Sequence, residues 1–259
     1  MREIKKRIQS PVYMSIAKPK QKNKLMTVKN LTETSADLYI YGEIVDNSDF
    51  KWDEADVMPD DVLRALNQVD GLNNLNIYIN SPGGSVFAGL AIYNMLKRNK
   101  AKKTVFIDGV AASMASVIAM VGDTINIPNN AFLMIHNPST LAMGNANDFR
   151  KLADDLDTIG SGALSIYTEN TKEGIEESTI QGLLDAETWL TGVEAAKYFN
   201  VEVIESKNIA ACASDILSQY DKTPQELITR PNGKKWVDSK KEPQQKNLKL
   251  QNELDLLNL

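Results

Sequence analysis

The feature that most limits what this chain can become is a switch between two periodicities, repeated from residue 36 to residue 205. Short β-branched and aromatic runs, "ADLYIYGEIV" (36–45), "LNIYIN" (75–80), "KTVFID" (103–108), "TINIP" (124–128), "AFLMIH" (131–136) and "VEVIE" (201–205), read as strands. Between them, "MPDDVLRALNQVD" (58–70), "SVFAGLAIYNMLKRN" (85–99), "ASMASVIAMVG" (112–122), a long segment over 148–170, a shorter one from 176 and "GVEAAKYF" (192–199) read as helices. Pro59 and the acids after it suit a helix start, and Lys97 and Arg98 suit a helix end. Strands alternating with helices predict an α/β domain with a largely parallel sheet, over residues 31–210.

The flanks read differently. Arg2, Lys5, Lys6, Arg7, Lys18, Lys20, Lys22, Lys24 and Lys29 oppose Glu3 alone, although the whole chain carries a net charge of −5. Residues 1–30 are therefore expected to form a basic arm. Such an arm can touch nucleic acid or an acidic partner, but a solvated terminus explains it more simply, and nucleic acid is not expected as a partner. Residues 211–259 read as a polar linker and tail, with a short leucine-rich amphipathic segment after 247.

Several chemistries are excluded by count. Cys212 is the single cysteine, so neither an intrachain disulfide nor a thiolate cluster can form. His136 is the single histidine, which removes multi-histidine metal sites. No metal and no organic cofactor is expected. No apolar run is long enough for a membrane span or a secretory signal, and the expected location is the cytoplasm.

Three short motifs can carry chemistry. In "IDGVAASMAS" (107–116), Ser113 follows a strand at the expected start of a helix, where unpaired N–H groups can receive an oxyanion. Small neighbours allow close approach of a substrate; taken alone, the stretch fits a helix cap and packing better. Ser116 lies one turn further in, as a helix-packing residue. "SPGGSV" (81–86) places two glycines at a strand end, without the spacing of a phosphate loop. His136 closes a strand at its carboxyl end, where α/β sites gather, and is the one imidazole available as a base. Together the three form a candidate acyl-transfer site.

"INSPGGSVFAGLAIYNML", "VFIDGVAASMASVIAMVGD", "NAFLMIHNP" and "GNANDF" resemble, in order and spacing, the signature blocks of the Clp protease proteolytic subunit family. The likeness runs from about residue 39 to 205, and is similar in particular to ClpP-like proteases of phages and prophages that process head proteins. The resemblance implies a crotonase-like layered β/α core with a long handle helix. It implies a serine endopeptidase with Ser113 as nucleophile and His136 as general base. It further implies the Gly84 and Met114 amides as oxyanion hole, and Val86, Pro138 and Ser139 along the edge that binds an extended peptide. Polypeptide substrates and a homo-oligomeric ring, a heptamer or a stacked tetradecamer, are implied as well. An ATPase unfoldase partner stays open, because the N-terminal segment departs from the family's axial loops.

The triad acid departs from the family as well. Where an Asp is usual, before "WLTGVEA" (189–195), this chain has Glu187, with Asp185 as the alternative acid. Two other enzyme readings remain: a crotonase-fold acyl-CoA hydratase or isomerase, and a Ser-Lys peptidase. A non-catalytic scaffold of the same fold is the third alternative.

Overall fold

A computed structural model describes residues 28–51, 53–205, 217 and 220–224. The basic arm before residue 28, Cys212 and the leucine-rich tail lie outside the described residues.

The elements follow in the order β1 (Val28–Lys29), β2 (Ser35–Tyr41), α1 (Pro59–Gln68), β3 (Asn74–Ser81), α2 (Val86–Arg98), β4 (Lys102–Ala112), α3 (Met114–Ala119), β5 (Thr124–Pro128) and β6 (Phe132–Ile135). Then come α4 (Ala146–Thr168), α5 (Glu177–Asp185), β7 (Thr188–Thr191), α6 (Gly192–Tyr198) and β8 (Glu202–Ile204). The main sheet runs β1-β2-β3-β4-β5-β8, with β6 pairing both β4 and β7. All neighbours are parallel except β1 with β2 and β6 with β7. The α/β architecture read from the alternation is the one observed.

Strand β4 organises the molecule. Its first half pairs with β5 through Thr104, Val105 and Phe106, and its last residues pair with β6 through Val110, Ala111 and Ala112. The sheet thus divides along one strand, and β6 and β7 branch from its end. On one face Leu38, Ile77, Ile79, Val105 and Ile107 are fully buried with Ile92 and Leu96 of α2 and Ile118 of α3. On the other, Tyr39, Tyr78 and Phe106 stack at 4.8 and 5.1 Å.

Helix signals act as their chemistry demands. Met58 precedes α1, whose Asp61 carboxylate accepts from Met58 N and pairs with Lys51 and Arg64. That pairing allows a carboxylate to be buried at a helix start, and it holds Asp61 below the usual carboxylate range against the opposing effect of burial. Asn145 caps α4 in a reciprocal arrangement with Asp148.

Four local expectations change. The first strand ends at Tyr41 instead of 45, because Ile44 pairs separately with Val57 and Gly84. The "GVAA" stretch is strand, since Val110–Ala112 find a partner in β6; the helix after it shrinks to Met114–Ala119. "TWLT" is strand β7, paired with β6, although no alternation marks it. Val28 and Lys29, at the end of the basic arm, pair with β2.

Candidate active site

Ser113 joins β4 to α3 at φ 51° and ψ −124°, a region in which a residue with a Cβ is strained by on the order of 1–3 kcal/mol. The turn is held from both sides. Ser113 N donates to Met134 O at 2.9 Å, continuing the β4–β6 ladder. The Ser113 carbonyl accepts from Ser116 N at 2.9 Å and Ser116 Oγ at 2.6 Å. Gly83 makes room for it: a Cβ there would lie 2.5 Å from Ala112 O and 2.8 Å from the Ser113 Cβ.

His136 follows β6, and its Nε2 lies 2.8 Å from Ser113 Oγ. Parallel-type pairing of β6 with β4 brings the ends of both strands to one edge, although 23 positions separate the residues. Burial pushes the imidazole below its usual pKa, and the negative charge of Glu187 partly opposes this. A neutral imidazole can accept the Ser113 proton, so the lowered value favours the basic form.

Glu187 sits between α5 and β7 at φ 46°. Its carboxylate accepts from Lys222 N at 2.7 Å and Asp221 N at 3.1 Å. Asp185 is directed elsewhere: it is exposed, accepting from Asn137 Nδ2 at 2.7 Å and Gln181 Nε2 at 2.6 Å. Of the two acids, Glu187 is the one whose charge acts on the imidazole.

Of the two amides named from the sequence, Met114's follows the serine directly, and Gly84's follows Gly83, which packs against Ser113. Gly84 forms a bridge with Ile44 in which Ile44 N donates to Gly83 O and Ser85 N to Ile44 O. Those two bonds leave the Gly84 N–H outside the bridge. Its φ is 142°, and a Cβ would lie 2.1 Å from Ile44 O, so only glycine fits. Met114 opens α3, and its N–H has no intrahelical acceptor.

Beside the serine and histidine lies an open cleft lined by Val86, Met114, Val117, Pro138, Ile159, Ala163 and Tyr167. Val86 and Pro138 therefore face it. Ser139 is exposed and does not line the cleft.

Three participants were not legible as such. Ser116, expected to be packing, is fully buried and polar in action: its Oγ meets Ser113 O, Met134 O at 2.8 Å and Tyr167 OH at 2.7 Å. Tyr167 lies in the long helix with nothing in the sequence to set it apart. Tyr220 comes from the region read as linker, packs against His136 and donates to Pro82 O at 2.6 Å. Among the described residues, no group of three or more His, Cys, Asp or Glu side chains is placed to hold a metal ion, and no helix is long and apolar enough to cross a membrane.

Residues 26–207 match the Clp protease family. The chain is similar to the ATP-dependent Clp protease proteolytic subunit of Bacteroides fragilis, 32% identical over 145 residues, which is 55% of this chain and 69% of that protein.

Proposed function

Because this chain belongs to the Clp protease family, we propose that it is a serine endopeptidase using Ser113, His136 and Glu187. The observation that carries this reading is the 2.8 Å contact between Ser113 Oγ and His136 Nε2, with the serine on a strained turn. Strain at a side chain in contact with a base is expected of a nucleophile more than of a packing residue.

In the proposed reaction, Ser113 Oγ attacks the peptide carbonyl carbon while His136 Nε2 takes the hydroxyl proton. The carbonyl oxygen becomes an oxyanion, held by the Gly84 and Met114 amides. The imidazolium, steadied by the Glu187 charge, gives its proton to the leaving amine as the C–N bond breaks. Water then attacks the acyl-enzyme, with His136 again as base, and Ser113 is regenerated. The chemistry requires no metal or organic cofactor. The apolar cleft suits an apolar side chain next to the scissile bond.

A homo-oligomeric ring with its sites facing inward belongs to the same reading. Leu141 and Met143, in the loop before α4, are fully exposed in the single chain, and Phe149 on α4 is half exposed. Apolar side chains left in water on neighbouring turns call for a partner surface, and a second copy supplies one. We place the enzyme in the cytoplasm, acting on polypeptides such as phage head proteins, on the likeness of its motifs to the phage and prophage group.

The test is labelling of the purified protein by a fluorophosphonate. Wild type should be modified at Ser113, Ser113→Ala should not, and only wild type should cleave proteins encoded beside its gene. A properly assembled wild type left unmodified by the probe would sink the reading.

A further inference from the structure

The matched family segment ends at residue 207, yet the site does not. Leu217 is fully buried with Val110, Ala112 and Met134, which places the chain against the ends of β4 and β6. Tyr220 then sets its ring edge-on to His136, with centroids 5.1 Å apart and planes at 75°, and to Trp189 of β7 at 6.2 Å. Its hydroxyl donates to Pro82 O at 2.6 Å, immediately before the Gly83–Gly84 turn. The next two residues turn their amides to the Glu187 carboxylate, at 3.1 and 2.7 Å. Thr223 closes the turn, its Oγ1 donating to Tyr220 O at 3.2 Å.

One short segment therefore touches three parts of the candidate machinery: the imidazole, the residue before the Gly83–Gly84 turn, and Glu187. Glu187 has particular need of it. A glutamate at φ 46° occupies a small, unfavourable region, and its position persists only if its surroundings fix it. We propose that Leu217 and residues 220–224 clamp the catalytic site, with Tyr220 a positioning residue for His136 and the oxyanion turn, and the Asp221 and Lys222 amides positioning Glu187. The proposal rests on the peptidase reading and adds to it a part that comes from outside the family segment.

The groups facing His136 are Ser113 from the β4–α3 turn, Glu187 from the α5–β7 turn, Tyr220 from the clamp and Tyr167 from α4 across the cleft. Glu187 brings the negative charge, and Tyr220 contributes to the burial.

The chain's single histidine makes the test direct, because selective ¹³Cε1-histidine labelling of the full chain yields one imidazole signal. We would follow its titration, the rate of Ser113 modification by a fluorophosphonate, and kcat and KM on a peptide. Tyr220→Ala uncovers the ring, so its midpoint should rise toward the ordinary imidazole value of about 6.5, with modification slowed about 10-fold or more. KM should change by less than about 2-fold, since the cleft is untouched. Tyr220→Phe keeps the ring and loses the bond to Pro82, so the midpoint should stay while modification slows about 3-fold. Lys222→Pro deletes an amide on Glu187; the midpoint should fall as that charge loosens. Unchanged titration and modification in Tyr220→Ala would overturn the proposal. If that variant does not fold, unchanged modification rates in both Tyr220→Phe and Lys222→Pro overturn it instead. A titration that responds to Tyr220 in a protein whose Ser113 is never modified would overturn the peptidase reading while supporting the clamp.

Discussion

Ser116 Oγ and Tyr167 OH meet at 2.7 Å inside the core, joining the helix that follows the candidate nucleophile to the long helix α4. Both residues are buried, and the single Ser116 hydroxyl proton is shared between the carbonyls of Ser113 and Met134. The strained Ser113 turn is thereby tied to α4, which lines one wall of the cleft with Ile159, Ala163 and Tyr167.

Removing Ser116 Oγ should therefore cost more than removing the tyrosine hydroxyl. Ser116→Ala leaves Tyr167 OH buried without this partner, and should destabilise the protein by about 1–3 kcal/mol. Tyr167→Phe leaves Ser116 its two carbonyls, with a loss of about 1 kcal/mol or less. Thermal unfolding at matched protein concentration checks both. The double variant should lose less than the sum, because the two groups share one bond.

The two acids should separate cleanly by activity. Glu187→Gln keeps the shape and removes the charge on His136, and kcat should fall by about 10²–10⁴-fold. Asp185→Asn touches a carboxylate that is exposed and bonded to Asn137 and Gln181, and should retain activity within about 3-fold. Peptide hydrolysis at neutral pH gives both numbers, and the reverse order would reassign the acid.

Activity should rise with pH through the titration of His136, since only the neutral ring can accept the serine proton. Burial lowers its pKa and Glu187 raises it by less, so the midpoint of kcat/KM should lie below the ordinary value of about 6.5. In Glu187→Gln the raising influence is gone while burial remains, and the residual activity should have its midpoint lower still. A pH profile of each protein measures the sign directly.

Gly84→Ala tests the oxyanion turn. The new Cβ would stand 2.1 Å from the Ile44 carbonyl oxygen at a φ of 142°, so the backbone must move. A backbone shift of about 1 Å at an oxyanion donor should lower kcat by about 100-fold or more. Fluorophosphonate labelling would slow in parallel, and an active Gly84→Ala enzyme would remove Gly84 from the site.

Much of this molecule is written in local patterns. The switch between period two and period 3.6 is a local consequence of which faces must be dry, so β3, β4, β5, α2 and α4 could be read before the fold was known. The same holds for the Gly83–Gly84 turn and for the strand end that carries His136. Their chemistry gained meaning together, since a serine and a histidine 23 positions apart say little until both strands are placed side by side.

What the sequence determined by itself was the alternating architecture, the single available imidazole and the small residues that a close-approach site requires. Tertiary structure decided the rest. It extended β4 through Ala112 by pairing it with β6, and so put Ser113, the N-cap of α3, on a strained turn with no capping bond from its side chain. It left Asp185 exposed on Asn137 and Gln181 and set Glu187 in the turn before β7, near enough for its charge to act on the imidazole. It also brought Tyr220 to His136 across 84 positions of chain, a contact with no local signature. Periodicity records only which face of an element is buried. Which distant group arrives on that face depends on how the elements pack, and that is fixed by the whole chain at once.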